Sequence, residues 1–343
     1  MTKRIPAWNS LSTAVEWQEI YRQAAKHGVL AVVWESLQRL SKDMQPPRDI
    51  WLQWACNVDQ IINRYERQLK IAAHLAAIYA AEGVKTVVLK GFGLSHLYPV
   101  AQHRECGDFD CFLCGDYERG NRIAKDIGAI VDDEGYKHSH ITYKGLIIEN
   151  HRYCMTVRGD KRLQQLEKKL QRIVIEDSIP TYLEDTKIII PPANFTALFL
   201  TQHALQHFLI EGISLRHICD WWVFLKNNEN IVDWSLFYME CSANDMAVFA
   251  DAMTTICVDK LGLELTNSHI RQKSTYAHLI LKDIFDNQGK VYSRSLGKWA
   301  SRWAVLRNIY KSRWKYNQIY GRYYMWEILR AVFGILMDRN PQL

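Results

Sequence analysis

The sequence predicts an α+β fold, in which a small mixed β-sheet is flanked by helical regions on both sides. Apolar residues recur at helical spacing through residues 1–83 and again through residues 193–343. Between them, residues 84–192 contain short β-branched and apolar runs that are bounded by glycine and proline. We therefore expect three regions: an N-terminal helical region, a central sheet region and a C-terminal helical region.

The composition is that of an ordinary globular protein. Of the 343 residues, 48% are hydrophobic and 23% are charged, and the formal net charge of +6 is mild. No apolar run follows Met1 or reaches the length of a membrane span, so we expect neither a signal peptide nor a transmembrane segment. The eight cysteines, without a secretory signal, indicate free thiols and a cytoplasmic protein.

The N-terminal region is predicted to be helical from residue 9 to residue 82. Pro46 and Pro47 interrupt the pattern, and a long helix then runs from about Asp49 to Glu82. A stripe of apolar side chains along this helix indicates core packing. Gly83 ends the helix just before the first predicted strand.

The central region opens with a strand, Val87–Leu89, that runs into a Lys90-Gly91 turn. A short helix follows and is stopped by Pro99, after which the chain enters a second strand, Gly107–Leu113. The further predicted elements are a helix over Tyr117–Ile127, a hairpin of His138–Tyr143 and Leu146–His151 around Lys144-Gly145, a surface helix over Lys161–Ile173 and a strand over Lys187–Ile190.

Three carboxylates stand out in these strands. Asp108 and Asp110 are two residues apart on one predicted strand, so they share a face, with Cα atoms roughly 6–7 Å apart. Such a pair repels unless a cation lies between, and hard cations such as Mg²⁺ take oxygen ligands. Glu149, at the end of the second hairpin strand, is the third acid. The alternative interpretation is a set of strand-end carboxylates that face water.

The residues also resemble a known family. The chain contains K-G…L-Y-P…R-x-x-G-D-x-D, then an acidic residue before a His, then a helix with paired His and a later Leu-Arg…Asp. This pattern, from about Val84 to Leu225, resembles the uncharacterised nucleotidyltransferase group of the polymerase-β-like superfamily. The resemblance implies a sheet of that type and transfer of a nucleoside monophosphate from a nucleoside triphosphate to an acceptor hydroxyl. It also implies a Mg²⁺ (or Mn²⁺) cofactor bound by Asp108, Asp110 and Glu149.

The same resemblance places the triphosphate at the Lys90-Gly91 turn. Glycine lets backbone N–H groups approach phosphate oxygens there. Phe92 departs from the superfamily pattern, which has serine at this position. Lys90, Gly91, Ser95 and Arg104 are therefore the expected nucleotide-binding residues. For Arg104, neutralisation of the acids is the alternative role.

The C-terminal region is predicted to begin with a helix over Phe195–Ile210 that Asn194 caps. Helices over Leu215–Lys226 and Val232–Asp259 are predicted to follow.

Two histidines of the first of these helices, His203 and His207, have a spacing that can hold one metal ion, and zinc is one interpretation. Because the sequence names no third ligand, we favour a buried, hydrogen-bonded pair. We expect this pair to line an acceptor pocket together with His151, Arg216 and Asp220.

The tail between residues 290 and 330 is basic and aromatic. It contains ten Lys and Arg residues against one acid, Glu327. One interpretation is a surface that contacts a polyanion: nucleic acid, acidic glycan or membrane headgroups. The other is a packed amphipathic helix whose polar side is basic.

Two other functions fit parts of the pattern. A glycosyltransferase can use an Asp-x-Asp pair to hold a metal ion on a nucleotide-sugar, but βα units should then precede the motif, and residues 1–84 are predicted to be helical. A non-catalytic relative that binds nucleotide or a polyanion is favoured by Phe92, which removes the usual hydroxyl from the turn.

Overall fold

A seven-stranded mixed β-sheet lies at the centre of the computed structural model, which describes residues 14–157, 160–177, 179–286, 307, 310, 312–321 and 325. The helices are α1 Ala14–Lys26, α2 Leu30–Leu37, α3 Arg48–Ala81, α4 Phe92–Ser95, α5 Tyr117–Asp126, α6 Lys161–Ile175, α7 Ala193–Ile210, α8 Leu215–Asn228, α9 Trp234–Ala243, α10 Ala247–Asp259 and α11 Ala277–Asp286. The strands are β1 Thr86–Val88, β2 Phe109–Phe112, β3 Ile130–Asp132, β4 His138–Tyr143, β5 Leu146–His151, β6 Thr181–Tyr182 and β7 Ile188–Ile190. The predicted α+β class is confirmed.

The strand order is β3-β4-β5-β2-β1-β7-β6. Two neighbouring pairs are parallel, β2 with β5 and β1 with β7, and the other four pairs are antiparallel. Alternation along the central strands separates two layers of core. Val87 and Phe112 pack in the cluster that contains α7 to α10, whereas Val88 and Phe109 pack in the cluster that contains α3 and α5. The sheet therefore carries helices on both faces.

The long helix α3 joins the N-terminal helices to the sheet. Its first half packs with α1 and α2, where the buried Trp54 indole donates to the Leu30 carbonyl at 2.9 Å. Its second half, including Tyr65 and Tyr79, packs on the sheet. The predicted helix from Asp49 to Glu82 is thus confirmed. Its apolar side chains belong to two hydrophobic cores, one with the N-terminal helices and one with the sheet.

Three local predictions need correction. Asn194 does not cap α7: the cap position is Pro192, and the Asn194 side chain instead accepts from the Asp233 backbone N–H at 2.8 Å. The predicted helix over residues 232–259 is two helices, since Asp245 adopts a positive φ of 60° between α9 and α10. Helix α6 is more than a surface helix, because it buries Leu163, Leu166, Glu167, Leu170 and Val174.

The basic tail falls largely outside the described residues. Arg307 and Arg313 are exposed, whereas Lys315 is buried. The Lys315 Nζ donates to the Phe208 carbonyl at 2.8 Å and lies 2.5 Å from Asp283 Oδ2. Lys315 therefore fits the second interpretation, a packed helix, because its charge is paired inside the C-terminal core. The other seven basic residues of the predicted surface lie outside the described part of the chain.

Within the described residues, no helix combines the length and the apolar character needed to cross a membrane.

Candidate functional site

The parallel pairing of β2 with β5 places Asp110 directly opposite Glu149. Paired residues of neighbouring strands point to the same face of a sheet, and the strands lie about 4.8 Å apart. Asp110 is buried, with 2% of its side chain exposed, and Glu149 is 16% exposed. Two carboxylates that are far apart in the sequence are thus held side by side at the centre of the sheet.

Two basic side chains contact these acids. Asp110 Oδ1 lies 3.1 Å from Lys90 Nζ and 3.1 Å from His151 Nε2. His151 Nε2 is also 3.3 Å from Glu149 Oε2. The other ring nitrogen, His151 Nδ1, donates to the Tyr153 carbonyl at 3.2 Å, which fixes the orientation of the ring. Asp110, Glu149 and His151 together present three ligand atoms within 4.8 Å of one another.

Burial raises the pKa of both acids, but their basic neighbours lower it by more. Burial alone would raise the pKa of Asp110, but the Lys90 ammonium and the His151 imidazole hold that pKa below its ordinary value. Burial likewise raises the pKa of Glu149, and the hydrogen bond from His151 lowers it, so that the net pKa shift is downward. Both carboxylates are therefore ionised at neutral pH.

Asp108 has a different environment. It precedes strand β2, which begins at Phe109, so the prediction that Asp108 is itself a strand residue is wrong. Burial and the Asp110 carboxylate raise the pKa of Asp108 to about 6, although Lys90 acts in the opposite direction. Asp108 is not in the group of close ligand atoms that Asp110 forms. It faces instead a cavity of about 280 Å³.

This cavity brings most of the predicted site residues together. Nine of the twelve line it: Lys90, Gly91, Arg104, Asp108, Asp110, His203, His207, Arg216 and Asp220. The other three do not line it. His151 contacts both Asp110 and Glu149, and Ser95 lies in the core.

Ser95 does not have the position expected of a phosphate ligand. Its side chain is fully buried, its hydroxyl shares a 2.7 Å hydrogen bond with the Tyr65 hydroxyl, and it donates to the Phe92 carbonyl at 2.8 Å. The Ser95 hydroxyl thus links helices α3 and α4 through hydrogen bonds. Phe92 is also fully buried and packs against Tyr65 and Phe109.

The turn before α4 depends on Gly91. Its φ of 62° and ψ of −106° lie in a region that L-residues with a side chain rarely adopt. A Cβ at this position would lie 3.5 Å from Arg104 Nη1, which is an ordinary contact. Backbone conformation, rather than space, is what requires glycine here.

Arg104 is held by an acid of the C-terminal region. Its Nε and Nη2 donate to Asp220 Oδ1 at 3.2 Å and Asp220 Oδ2 at 2.8 Å, and the Tyr98 hydroxyl donates to Asp220 Oδ1 at 2.7 Å. Burial alone would raise the pKa of Asp220, and Arg104 holds it low. Arg104 and Asp220 were predicted for different ends of the site, and they form one buried ion pair that ties the β1–β2 connection to α8.

A group of histidines also lines the cavity. The rings of His203 and His207 are 4.4 Å apart between centroids, and His217 lies 5.8 Å from His207. Burial lowers the pKa of His203 well below its ordinary value and that of His217 to about 3. His217 Nδ1 accepts from the Ser214 backbone N–H at 3.1 Å, and His207 pairs with Glu211. Among the described residues, neither His203 nor His207 belongs to a close group of three metal-ligating side chains.

A comparison with protein families places the sequence in a known group. A family model described as an uncharacterised nucleotidyltransferase matches residues 13–262. The chain belongs to this family. The match confirms the resemblance seen in the sequence, and it covers α1 to α10 as well as the sheet. No curated protein and no solved structure matched the chain.

Sequence reasoning missed several residues at or beside this site. His217 and Glu211 line the cavity beside the predicted histidines. Lys137 lies close enough to Asp110 and Glu149 for their charges to raise its pKa, although burial lowers that pKa overall. His138 and His140 lie within 3.6 Å of Glu149. A signal for the last two existed, because they alternate along a predicted strand whose hairpin partner carries Glu149.

Proposed function

We propose that this protein transfers a nucleoside monophosphate from a nucleoside triphosphate to an acceptor hydroxyl, in a reaction that depends on Mg²⁺ or Mn²⁺. One observation carries the proposal. Asp110 and Glu149 are paired across two parallel strands, and Asp108 and the Lys90-Gly91 turn face the same cavity as Asp110. Family membership supports the class of reaction.

The donor atoms fit a hard divalent cation. Asp108, Asp110 and Glu149 offer carboxylate oxygens, which Mg²⁺ prefers. The raised pKa of Asp108 shows that its charge is opposed by burial and by Asp110, and a cation would relieve that opposition. When bound there, such an ion would neutralise phosphate charge and polarise the acceptor hydroxyl.

The chain's own residues would bind and orient the triphosphate. Lys90 has 24% of its side chain exposed and lines the cavity, so its ammonium can contact phosphate oxygens as well as Asp110. The lack of a side chain at Gly91 allows phosphate oxygens to approach the backbone. Arg104 adds positive charge at a position that Asp220 fixes.

The acceptor would bind beside the histidines. His203, His207 and Arg216 line the same cavity as Asp108 and Asp110. In the transfer, the acceptor oxygen forms a bond to the α-phosphorus as the bond from that phosphorus to the bridging oxygen breaks. Pyrophosphate leaves with the electron pair, and the hydroxyl proton is released.

A second candidate is a nucleotide-binding relative without catalysis. Phe92 fills the position of the usual serine, and the Ser95 hydroxyl is used inside the core, so neither supplies a hydroxyl to the turn. For a glycosyltransferase we find no comparable support, since residues 14–85 contain helices and no strand before the motif.

Contact of the basic tail with a polyanion is also a proposal. The exposed Arg307 and Arg313 support it, and Lys315 does not take part. The polyanion would be the acceptor or a surface that carries it.

Pyrophosphate release tests the proposed function. The full chain is incubated with each nucleoside triphosphate, Mg²⁺ and fractions of a cell lysate, and pyrophosphate is measured. We expect Asp108→Asn and Asp110→Asn to abolish release, because each removes a carboxylate that would bind the cation. Asp126→Asn, at the exposed end of α5, is the matched control and should behave as wild type. Metal-dependent nucleotide binding with no pyrophosphate in any fraction would favour the non-catalytic alternative.

A further inference from the structure

The hairpin of β4 and β5 brings two histidines to Glu149. In its register His140 lies opposite Glu149, and His138 lies opposite His151. Because residues two apart on a strand share a face, His138, His140, Glu149 and His151 all lie on the face that carries Asp110. The proposed transfer assigns no role to His138 or His140.

The two carboxylate oxygens of Glu149 face different partners. Oε2 lies 3.3 Å from His151 Nε2, on the side of Asp110. Oε1 lies 3.6 Å from His138 Nε2 and 3.6 Å from His140 Nε2. His138, His140 and Glu149 thus form a second group of ligand atoms, all within 4.8 Å of one another.

The spacing in this second group suits an ion better than a hydrogen bond. A separation of 3.6 Å is longer than the usual 2.7–3.2 Å or so of an N–H···O bond. The imidazoles of His138 and His140 make no hydrogen bond to any described residue. Ligand atoms about 2.0–2.2 Å from a tetrahedral ion are about 3.3–3.6 Å apart. The two separations from Glu149 Oε1 therefore already match those around a bound ion.

We propose that His138, His140 and Glu149 bind a divalent transition-metal ion, next to the carboxylate site of the proposed transfer and sharing Glu149 with it. Imidazole nitrogen is a ligand for Zn²⁺, Co²⁺ or Ni²⁺ rather than for Mg²⁺. Three protein ligands leave a fourth position open to water or to an oxygen of a bound substrate. This proposal rests on the proposed function in one respect: Glu149 would be a ligand in both sites.

Access supports the same conclusion. The side chains of His138 and His140 are 23% and 38% exposed, so an ion can reach them from solvent. Glu149 is held from the other side by His151, which limits its rotation. An ion-free pairing of Glu149 with protonated imidazoles is the alternative, and metal binding distinguishes the two.

Cobalt(II) is the probe, because its visible absorption reports coordination without any reaction. The full chain is treated with chelator, dialysed without nucleotide and titrated with Co²⁺. We expect one equivalent of Co²⁺ to produce visible bands that millimolar Mg²⁺ does not remove. His140→Ala should weaken Co²⁺ binding by at least about 100-fold, because loss of an outer partner alone costs about 10–100-fold.

Two comparisons make the result specific. His278→Ala, an exposed histidine of α11, is the matched control and should bind Co²⁺ as wild type does. Asp108→Asn should keep the Co²⁺ bands while losing pyrophosphate release, which separates this site from the proposed function. His138→Ala should act as His140→Ala does, and the more exposed His140 carries the test if the other variant fails to fold.

Three results would overturn the proposal. One is the absence of Co²⁺ bands in the wild-type protein. Another is equal Co²⁺ affinity in His140→Ala and wild type. The third is loss of Co²⁺ only in Asp110→Asn, which would assign the metal to the acids without the histidine pair.

Discussion

Asp108 and Asp110 are two residues apart and have opposite pKa shifts. Lys90 and His151 contact Asp110 and hold its pKa low, whereas burial and the charge of Asp110 raise the pKa of Asp108 to about 6. Around neutral pH the charge on Asp108 is therefore unfavourable in the folded protein without a cation. This difference predicts a measurable signature in the pH dependence of stability.

Substitution of Asp108 should change how stability depends on pH. The pKa of Asp108 rises from 3.8 to about 6 on folding, so its contribution to stability is full below pH 4 and is lost as the pH rises through 6. Asp108→Asn, which resembles the neutral acid, should raise the free energy of unfolding at pH 8 and leave it unchanged below pH 4. Urea unfolding at both values is the measurement, with Asp126→Asn as control. A pH-independent difference between Asp108→Asn and wild type would contradict the assigned pKa.

Gly91 is the other residue whose conformation has a functional consequence. Gly91→Ala should lower the free energy of unfolding by about 1–2 kcal/mol, because a side chain is strained at its positive φ. It should also weaken nucleotide binding, since the turn must adjust beside the cavity. Gly83→Ala is a control for strain alone: its φ is +74°, and it lies away from the cavity. Equal nucleotide affinity in both variants would place the triphosphate elsewhere.

Among the elements, helix α8 is attached to the β1–β2 connection by one buried ion pair. Arg104 lies on the connection, Asp220 lies on α8, and both are less than 10% exposed. The pair therefore joins two segments that both line the cavity.

Arg104→Met should lower the free energy of unfolding by about 3–5 kcal/mol, because it removes the guanidinium that pairs with the buried Asp220 carboxylate. In the double variant with Asp220→Asn, the loss should be smaller than the sum of the single losses. Arg64→Met is the matched control, since its 3.6 Å pair with Glu105 is partly exposed and should contribute less than about 1 kcal/mol. Additive losses in the double-mutant cycle would argue against the coupling.

Elements with strong local patterns were predictable from the sequence. The β4–β5 hairpin follows from alternation around Lys144-Gly145, where both turn residues adopt positive φ. In the register that this turn fixes, His140 lies opposite Glu149. The break at Asp245 was missed, although Asn244 and Asp245 are residue types that favour turns and tolerate a positive φ.

Individual site residues were predictable only where the residue type limits the environment. A buried Asp-x-Asp requires compensation, so Asp110 could be placed near cations from the sequence. A serine can satisfy its hydroxyl in the core or at a ligand, and nothing local showed that Ser95 bonds to Tyr65. The Arg104–Asp220 contact joins residues 116 positions apart, so only the tertiary fold reveals it.

Across the whole molecule, the sheet separates two helical layers, and the tail segment 312–321 packs on the C-terminal layer. Tyr316, Ile319 and Tyr320 are buried in the same cluster as α7 and α10, and Lys315 reaches Asp283 of α11. This part of the tail is therefore a structural element of the C-terminal region.

Two neighbouring substitutions separate packing from polyanion binding. Lys315→Met should lower the free energy of unfolding by about 3–5 kcal/mol at any salt concentration, because it removes the ammonium beside the buried Asp283 carboxylate. Arg313→Glu, at an exposed position, should leave stability unchanged and weaken heparin binding at low salt. Melting curves and heparin affinity at two salt concentrations are the measurements. Unchanged heparin affinity in Arg313→Glu would count against the polyanion proposal.

The position of the label transferred from the triphosphate tests the central claim most directly. The protein is incubated with Mg²⁺, lysate and a nucleoside triphosphate labelled at either the α- or the γ-phosphate. Nucleotidyl transfer at Asp108 and Asp110 predicts that the α-label enters an acceptor while the γ-label appears only in pyrophosphate, and that Asp110→Asn abolishes both. Transfer of the γ-label to an acceptor, or unchanged α-label transfer by Asp110→Asn, would contradict it.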